Sequence, residues 1–262
     1  MSSYVILFLG DVVGEPGRTA VQQGLPSLID TYQPLFTIVN GENSAGGVGI
    51  TSKIADQLFD WGADAITLGN HAFNKREIDA YLNSKRPIIR PSNMAAAVPG
   101  RGLCTVSKDG LDLAVMNICG RVTMDPNYGD PFAEVDRLLS TIETPHRFLD
   151  FHAEATSEKI AMGYYCEGRM TAVVGTHTHV TTADDRILAG GTAYITDVGM
   201  CGPINSVLGM DRDIILNRFR TGLPQKFQVA NEVGVICGVA IDVQRETGRA
   251  THIERIRFGE YA

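Results

Sequence analysis

Through the first ninety residues of this chain, short and continuously apolar runs alternate with longer amphipathic ones. Residues 4–9 are apolar without a break, as expected of a strand buried on both faces. Pro16 then opens a helix through about Tyr32, and residues 36–39 form a second short strand. Thr51 caps a helix running to Trp61, with Ser52, Lys53, Asp56 and Gln57 on its polar side. A strand at 65–68, a helix at 75–82 and a strand at 87–90 continue the alternation. This strand–helix–strand rhythm calls for mostly parallel strands covered by helices. The pattern changes after residue 100. Residues 103–107 and 111–118 read as a hairpin with Asp109-Gly110 at the turn. A helix follows at 132–142, then strands at 147–151, 171–174, 193–195, 233–243 and 252–258, with helices at 155–166 and 211–219. No low-complexity run, linker or tandem repeat interrupts the chain, so one α/β domain with mixed sheets, spanning 1–262, is the simplest organisation.

Composition narrows the class. Hydrophobic residues make up 44% and charged residues 20% of 262, which is ordinary for a globular enzyme-sized chain. The net charge of −7 argues against a protein that grips nucleic-acid backbones broadly. It leaves room for a small anion held through metal ions. The run at 4–9 is too short for a signal core, and no run approaches the roughly 20 apolar residues that span a bilayer. The five cysteines are scattered, odd in number and without a CxxC pair, so a reducing cytoplasm is the expected setting.

Five segments share one property: an apolar strand ends in a ligand-type residue followed by a turn. They end in Asp11, in Glu42-Asn43, in Asn70-His71, in His152 and in His177-Thr178-His179. Taken singly, each has a plainer reading: a turn or helix cap for Asp11, a loop for Glu42-Asn43, a core histidine for His152. Together they matter, because the carboxyl ends of strands in an open α/β sheet line one crevice. Carboxylates and imidazoles suit divalent iron, manganese, zinc or magnesium, and Asn oxygens add neutral ligation. So many such groups in one cavity are costly without a cation. Two metals roughly 3.5–4 Å apart would satisfy them.

In order, Gly10-Asp11, Gly41-Glu42-Asn43, Gly69-Asn70-His71, the lone His152 and Thr176-His177-Thr178-His179 resemble the calcineurin-like metallophosphoesterase superfamily. The strings at 150–159 (DFHAEATSEK), 174–180 (VGTHTHV) and 195–203 (ITDVGMCGP) are similar, more closely, to its bacterial YmdB-type subgroup. Val13 stands where the wider superfamily has a histidine ligand, and Glu42 where it has an aspartate. The resemblance implies two central mixed β-sheets packed as a sandwich and flanked by helices. It implies one metal on Asp11, Glu42, Asn43 and His179 and a second on Glu42, Asn70, His152 and His177, with Glu42 bridging. It also implies that His71 is the general acid and no ligand, and that Asn43 replaces the missing histidine.

The expected activity is hydrolysis of small phosphodiesters, namely 2′,3′- or 3′,5′-cyclic nucleotides. The nucleophile would be generated between two divalent metals, iron first and manganese, zinc or magnesium as alternatives, with His71 protonating the leaving oxygen. A nucleotide-binding regulator and an RNA-processing factor on the same site are the alternatives, and homo-oligomers are admitted; no membrane partner is expected. Around the site, Arg121 is a candidate phosphate contact or a plain surface arginine, the helix start at Gly14–Arg18 could attract an anion or be a simple strand-to-helix turn, and Tyr128 or Phe132 could stack a base, although loop packing is the better reading of both aromatics.

Overall fold

The computed structural model describes residues 2–126 and 128–259. Fourteen strands and six helices follow in the order β1 (Ser3–Leu9), β2 (Asp11–Val12), α1 (Gly14–Tyr32), β3 (Phe36–Asn40), α2 (Ser52–Asp60), β4 (Ala65–Thr67), α3 (Ile78–Leu82), β5 (Ile88–Ile89), β6 (Leu103–Lys108), β7 (Leu111–Cys119), α4 (Pro131–Leu139), β8 (Arg147–His152), α5 (Thr156–Tyr165), β9 (Ala172–Thr176), β10 (Arg186–Leu188), β11 (Thr192–Ile195), β12 (Met200–Pro203), α6 (Arg212–Thr221), β13 (Gly234–Gln244) and β14 (Ala250–Phe258). They form two mixed sheets. One has the order β2-β12-β13-β1-β3-β4-β5, with β14 paired to β13; the other runs β10-β11-β9-β8-β7-β6.

Burial explains the layering. Phe8, Phe36, Ile38, Val115, Phe148, Val174 and Ile195 pack between the sheets as one apolar cluster. On the outer face of the first sheet, Leu7, Leu9, Val39 and Ile66 meet Val21 and Leu25 of α1, Leu58 of α2 and Ile78 of α3. On the outer face of the second, Ile118, Leu149 and Phe151 meet Val135 and Leu138 of α4 and Met162 of α5. The result is helices, sheet, sheet, helices. Strands covered on both sides must be apolar throughout, which is why β3 is buried at all five positions and showed no alternation in the sequence.

The expected elements are present with shifted ends. The 103–107 and 111–118 hairpin closes on Asp109 (φ 48°) and Gly110 (φ 74°), the paired positive φ that a two-residue turn of this hand requires. Thr51 accepts the amide of Ile54 and caps α2 as expected. α1 starts at Gly14, ahead of Pro16. α3 is shorter than the 75–82 expectation, because residues 69–75 are spent on tight turns around His71. β2, β10 and β12 carried no readable pattern, being two to four residues long. β2 and β12 nevertheless place the site: they pair in parallel, Met200 opposite Asp11. Among the described residues, no helix is long and apolar enough to cross a membrane.

Candidate metal centre

Asp11, Glu42, Asn43, Asn70, His71, His152, His177 and His179 meet at the carboxyl-terminal ends of β1, β3, β4, β8 and β9. The chain turns sharply at each strand end, and two glycines permit it. A Cβ on Gly10 would run into the Gly199 carbonyl, so only glycine lets β1 pass into β2 beside the 195–203 segment. A Cβ on Gly69 would lie 2.5 Å from His152 Cδ2 and closer still to Glu42 Oε2 and His152 Nε2. The space over Gly69 thus belongs to the ligand candidates.

The three histidines after β8 and β9 are each held by the nitrogen that faces away from the cluster. His152 Nδ1 lies 2.9 Å from Thr176 Oγ1. That hydroxyl donates its single proton to Asp150 (2.6 Å), so it accepts from His152 Nδ1–H. Asp150 is fixed in turn by the Asn40 amide (2.9 Å) and the Thr67 hydroxyl (2.5 Å). His177 directs Nε2 at the Glu154 carboxylate (3.3 Å), and His179 donates Nδ1–H to the Leu208 carbonyl (3.0 Å). With the rings neutral, as a bound cation requires, the inward nitrogens, Nε2 of His152, Nδ1 of His177 and Nε2 of His179, are lone-pair donors. An outer hydrogen bond that fixes the tautomer is the usual arrangement for metal-binding histidines.

What these lone pairs face is decisive. His152 Nε2 lies 2.9 Å from Asn70 Oδ1, 3.0 Å from His177 Nδ1 and 3.2 Å from Glu42 Oε1. These are acceptors meeting acceptors. Donor atoms sharing one cation at about 2.1 Å, at right angles, sit about 3 Å apart, which is the spacing found. On the other side of Glu42, Asn43 Nδ2 lies 2.9 Å from Glu42 Oε1 and 3.1 Å from His179 Nε2. Asp11 Oδ2 accepts the His177 amide (3.1 Å), while the buried Asp11 Oδ1 has no hydrogen-bond partner among the described residues and only His152 Nδ1 near it, at 3.8 Å. A buried carboxylate oxygen without a hydrogen-bond partner, in a ring of nitrogen and oxygen donors, fits a divalent cation.

The protonation pattern reflects the same crowding. Burial raises the Asp11 carboxyl, against the pull of the His179 and His152 rings. Burial opposes the charge of Glu42 too, but His152 and His71 outweigh it and hold Glu42 well below the usual carboxylate range. Burial likewise opposes a charged His152, yet Glu42 and Asp11 lift it to about 9, so without a cation Nε2 holds a proton among these oxygens, the place a divalent cation would take. Burial and the neighbouring His152 push His177 down to about 3. Burial also lifts Asp150 to about 6.

At three further positions the plainer reading of the sequence fits the structure. Arg121 turns its guanidinium to Asp130 (3.5 Å), the cap of α4. At the start of α1, the Gly14 amide is given to the Asn43 carbonyl (2.9 Å), Arg18 donates to the Ser44 carbonyl, and Pro16 has no N–H, so this turn steadies the Glu42-Asn43 loop. Tyr128 is buried beside Cys119 and Met124, and Phe132 packs edge-on against Tyr165. Conversely, Asp150, Thr176, Glu154 and Leu208 were not singled out by the sequence. Asp150 alone carried a signal, two residues before His152 on the same strand face.

Comparisons with known proteins agree on the lineage. The family model described as YmdB-like protein matches residues 7–256. The chain is 52% identical to a 2′,3′-cyclic-nucleotide 2′-phosphodiesterase of Bacillus subtilis, over 97% of each chain. A crystal structure of a hypothetical protein from Thermus thermophilus superposes with a TM-score of 0.91 at 40% identity, covering 97% of this chain and 98% of that one. A putative 5′-nucleotidase from Staphylococcus aureus shares the fold at 13% identity and a TM-score of 0.65, over all of this chain and 55% of its own. The expected sandwich of two mixed sheets between helices is thus the architecture of this chain.

Proposed function

The chain belongs to the YmdB-like family, and on that footing we propose that it is a dinuclear metal-dependent phosphodiesterase acting on cyclic nucleotides. The observation that carries this reading is the convergence of the His152 and His177 ring nitrogens on the Glu42 and Asn70 oxygens, beside an Asp11 Oδ1 that no hydrogen bond satisfies. Asp11, Glu42, Asn43 and His179 would hold one divalent cation; Glu42, Asn70, His152 and His177 the other. Bound there, the cations supply an activated water and neutralise charge on the phosphoryl group. Nitrogen and oxygen donors without thiolate admit iron, manganese, zinc or magnesium, with iron the first choice.

His71 follows Asn70 and sits at the edge of the cluster, with its side chain about one third exposed. Its amide donates to Glu42 Oε2 (3.2 Å), and its Nδ1 lies 2.8 Å from Asn43 Oδ1. As placed, Asn43 turns its NH₂ to Glu42 and His179 and its oxygen to His71. Reversing the amide about its own axis exchanges these atoms. Oxygen then faces the cluster, and the NH₂ donates to His71 Nδ1. His71 is in that case neutral, with its one proton on Nε2, and a neutral imidazole is no acid near pH 7. As placed, Asn43 Oδ1 instead accepts Nδ1–H of a protonated His71, whose Nε2–H can protonate the departing oxygen, so the acid role of His71 calls for this orientation and an amide-oxygen ligand role of Asn43 for the reverse.

A cavity of about 450 Å³ opens beside Asn70, His71, Asn74 and His177 and is walled on the far side by residues 123–126. In a 2′,3′-cyclic nucleotide both ester oxygens belong to one ribose, so the nucleoside must lie where the leaving oxygen meets His71, in this cavity. The Bacillus subtilis relative is named for cleavage at the 2′ oxygen, and the same bond is proposed here. The test is a panel of 2′,3′- and 3′,5′-cyclic nucleotides with each metal added to stripped protein. Release of the nucleoside 3′-monophosphate is expected. Tight binding of the same nucleotides without product would instead make the chain a nucleotide-binding regulator.

A further inference from the structure

Two strings that set this chain apart in sequence, 150–159 and 195–203, contain a lysine and an aspartate that no step above uses. Lys159 sits on α5 with a side chain 1% exposed, and its Nζ meets Asp197 Oδ2 at 2.6 Å; Asp197 is buried to the same degree. A buried ion pair is weak evidence for stability, because desolvating both ions offsets most of their attraction. Apolar side chains of similar volume would serve a core at least as well. The contacts made by this pair suggest what else it does.

Both charges reach the backbone of His177. Lys159 Nζ donates to the Thr176 carbonyl at 2.7 Å. Asp197 Oδ2 accepts the Thr178 amide at 3.1 Å, and Asp197 Oδ1 the Gly199 amide at 2.8 Å. The amide between these two anchors, that of His177, goes to Asp11 Oδ2. The backbone groups on either side of the His177 side chain are thus tied down by three side chains, two of them this pair. They hold a strained conformation: His177 has φ 98°, in the left-handed region, and His179 follows at φ 64°. Such residues persist only where the surroundings over-determine them, at a cost of about 1–3 kcal/mol each. Relaxed to negative φ, His177 would carry its ring away from His152.

We infer that Lys159 and Asp197 are positioning residues that hold the Thr176–Thr178 backbone in the left-handed turn from which His177 reaches the second metal. This rests on the dinuclear reading above. Neither residue touches the substrate or the metals; they act through His177.

The experiment compares Asp197→Asn and the charge-neutral double variant Lys159→Met/Asp197→Asn with Leu138→Ala, a cavity control far from the site. Stripped proteins are titrated with Mn²⁺ by calorimetry, and melting is recorded in chelator. The wild type is expected to take two ions. The double variant should bind one of them at least tenfold more weakly, while melting in chelator no lower than Leu138→Ala, which should keep both affinities. Wild-type affinity for both ions in the double variant overturns the inference and leaves the dinuclear reading intact. Failure of both Asp197 variants to fold would make the pair a folding element and also overturn it. Absence of two-ion binding in the wild type would instead sink the dinuclear reading itself.

Discussion

Replacing Gly69 by alanine adds one methyl group at the most crowded point of the site. Its carbon would lie 2.5 Å from His152 Cδ2, where ordinary contact begins at 3.4 Å, so that ring must yield by about 0.9 Å. Glu42 Oε2 is closer still. Both side chains are fully buried, so neither can swing into solvent. Overpacking of this kind costs about 1–3 kcal/mol, or roughly 2–4 °C of melting temperature per kcal/mol in a chain of this size. The larger effect falls on the metals, since a misplacement of about 1 Å lowers turnover on the order of 10²-fold. The control is Gly46→Ala, near Asn43: its Cβ meets nothing within 4 Å, and only its φ of 72° is penalised, by about 1 kcal/mol. Turnover of bis-p-nitrophenyl phosphate and metal content by mass spectrometry are measured for both. Gly69→Ala is expected to lose metal and at least 10²-fold in turnover while Gly46→Ala keeps both. Full occupancy and turnover in Gly69→Ala would refute the assignment of Glu42 and His152 to one cation.

His71→Ala is expected to keep both metals and lose 10²–10⁴-fold in turnover; an unchanged rate removes His71 from the acid role. Thr176→Val keeps volume but deprives His152 Nδ1–H of its acceptor, and metal affinity by calorimetry should fall 10–100-fold; an unchanged affinity would show that the Asp150–Thr176–His152 chain does not orient the ring. Burial holds the His146 imidazole below its ordinary value of 6.5, and Tyr4 bonds its Nδ1 at 2.9 Å. The unfolded chain then takes up the proton first, so this contribution is complete above about pH 6.5 and is lost as pH falls below it. Melting at pH 7.5 and 5.5 should show a smaller drop in His146→Gln than in the wild type, and an equal drop would discount His146.

The layers of this fold were legible because parallel strands and their covering helices write long apolar patterns. Short strands set by close backbone approach do not, which is why the β2–β12 pairing beside Asp11 was invisible while Asp11 itself stood out. All seven ligand candidates and His71 lie in one cluster, because each terminates a readable strand. The groups that orient them were hidden for two reasons. Thr176 and Leu208 act through a hydroxyl and a backbone carbonyl, which many residues could supply. Lys159 and Asp197 lie 38 positions apart and meet only in the folded chain. Arg121 and Tyr128 stayed open in the sequence for the opposite reason: their chemistry suited a phosphate and a base, but the turns after β7 aim them at Asp130 and into the core.

The central claim is that this cluster works with two cations. Its most direct test is the number of metal equivalents per chain at which chelator-stripped protein recovers phosphodiester turnover, titrated with Mn²⁺ or Fe²⁺. Turnover is expected to return only as the second equivalent binds. Full turnover by the stripped protein, or recovery complete at one equivalent, would contradict it.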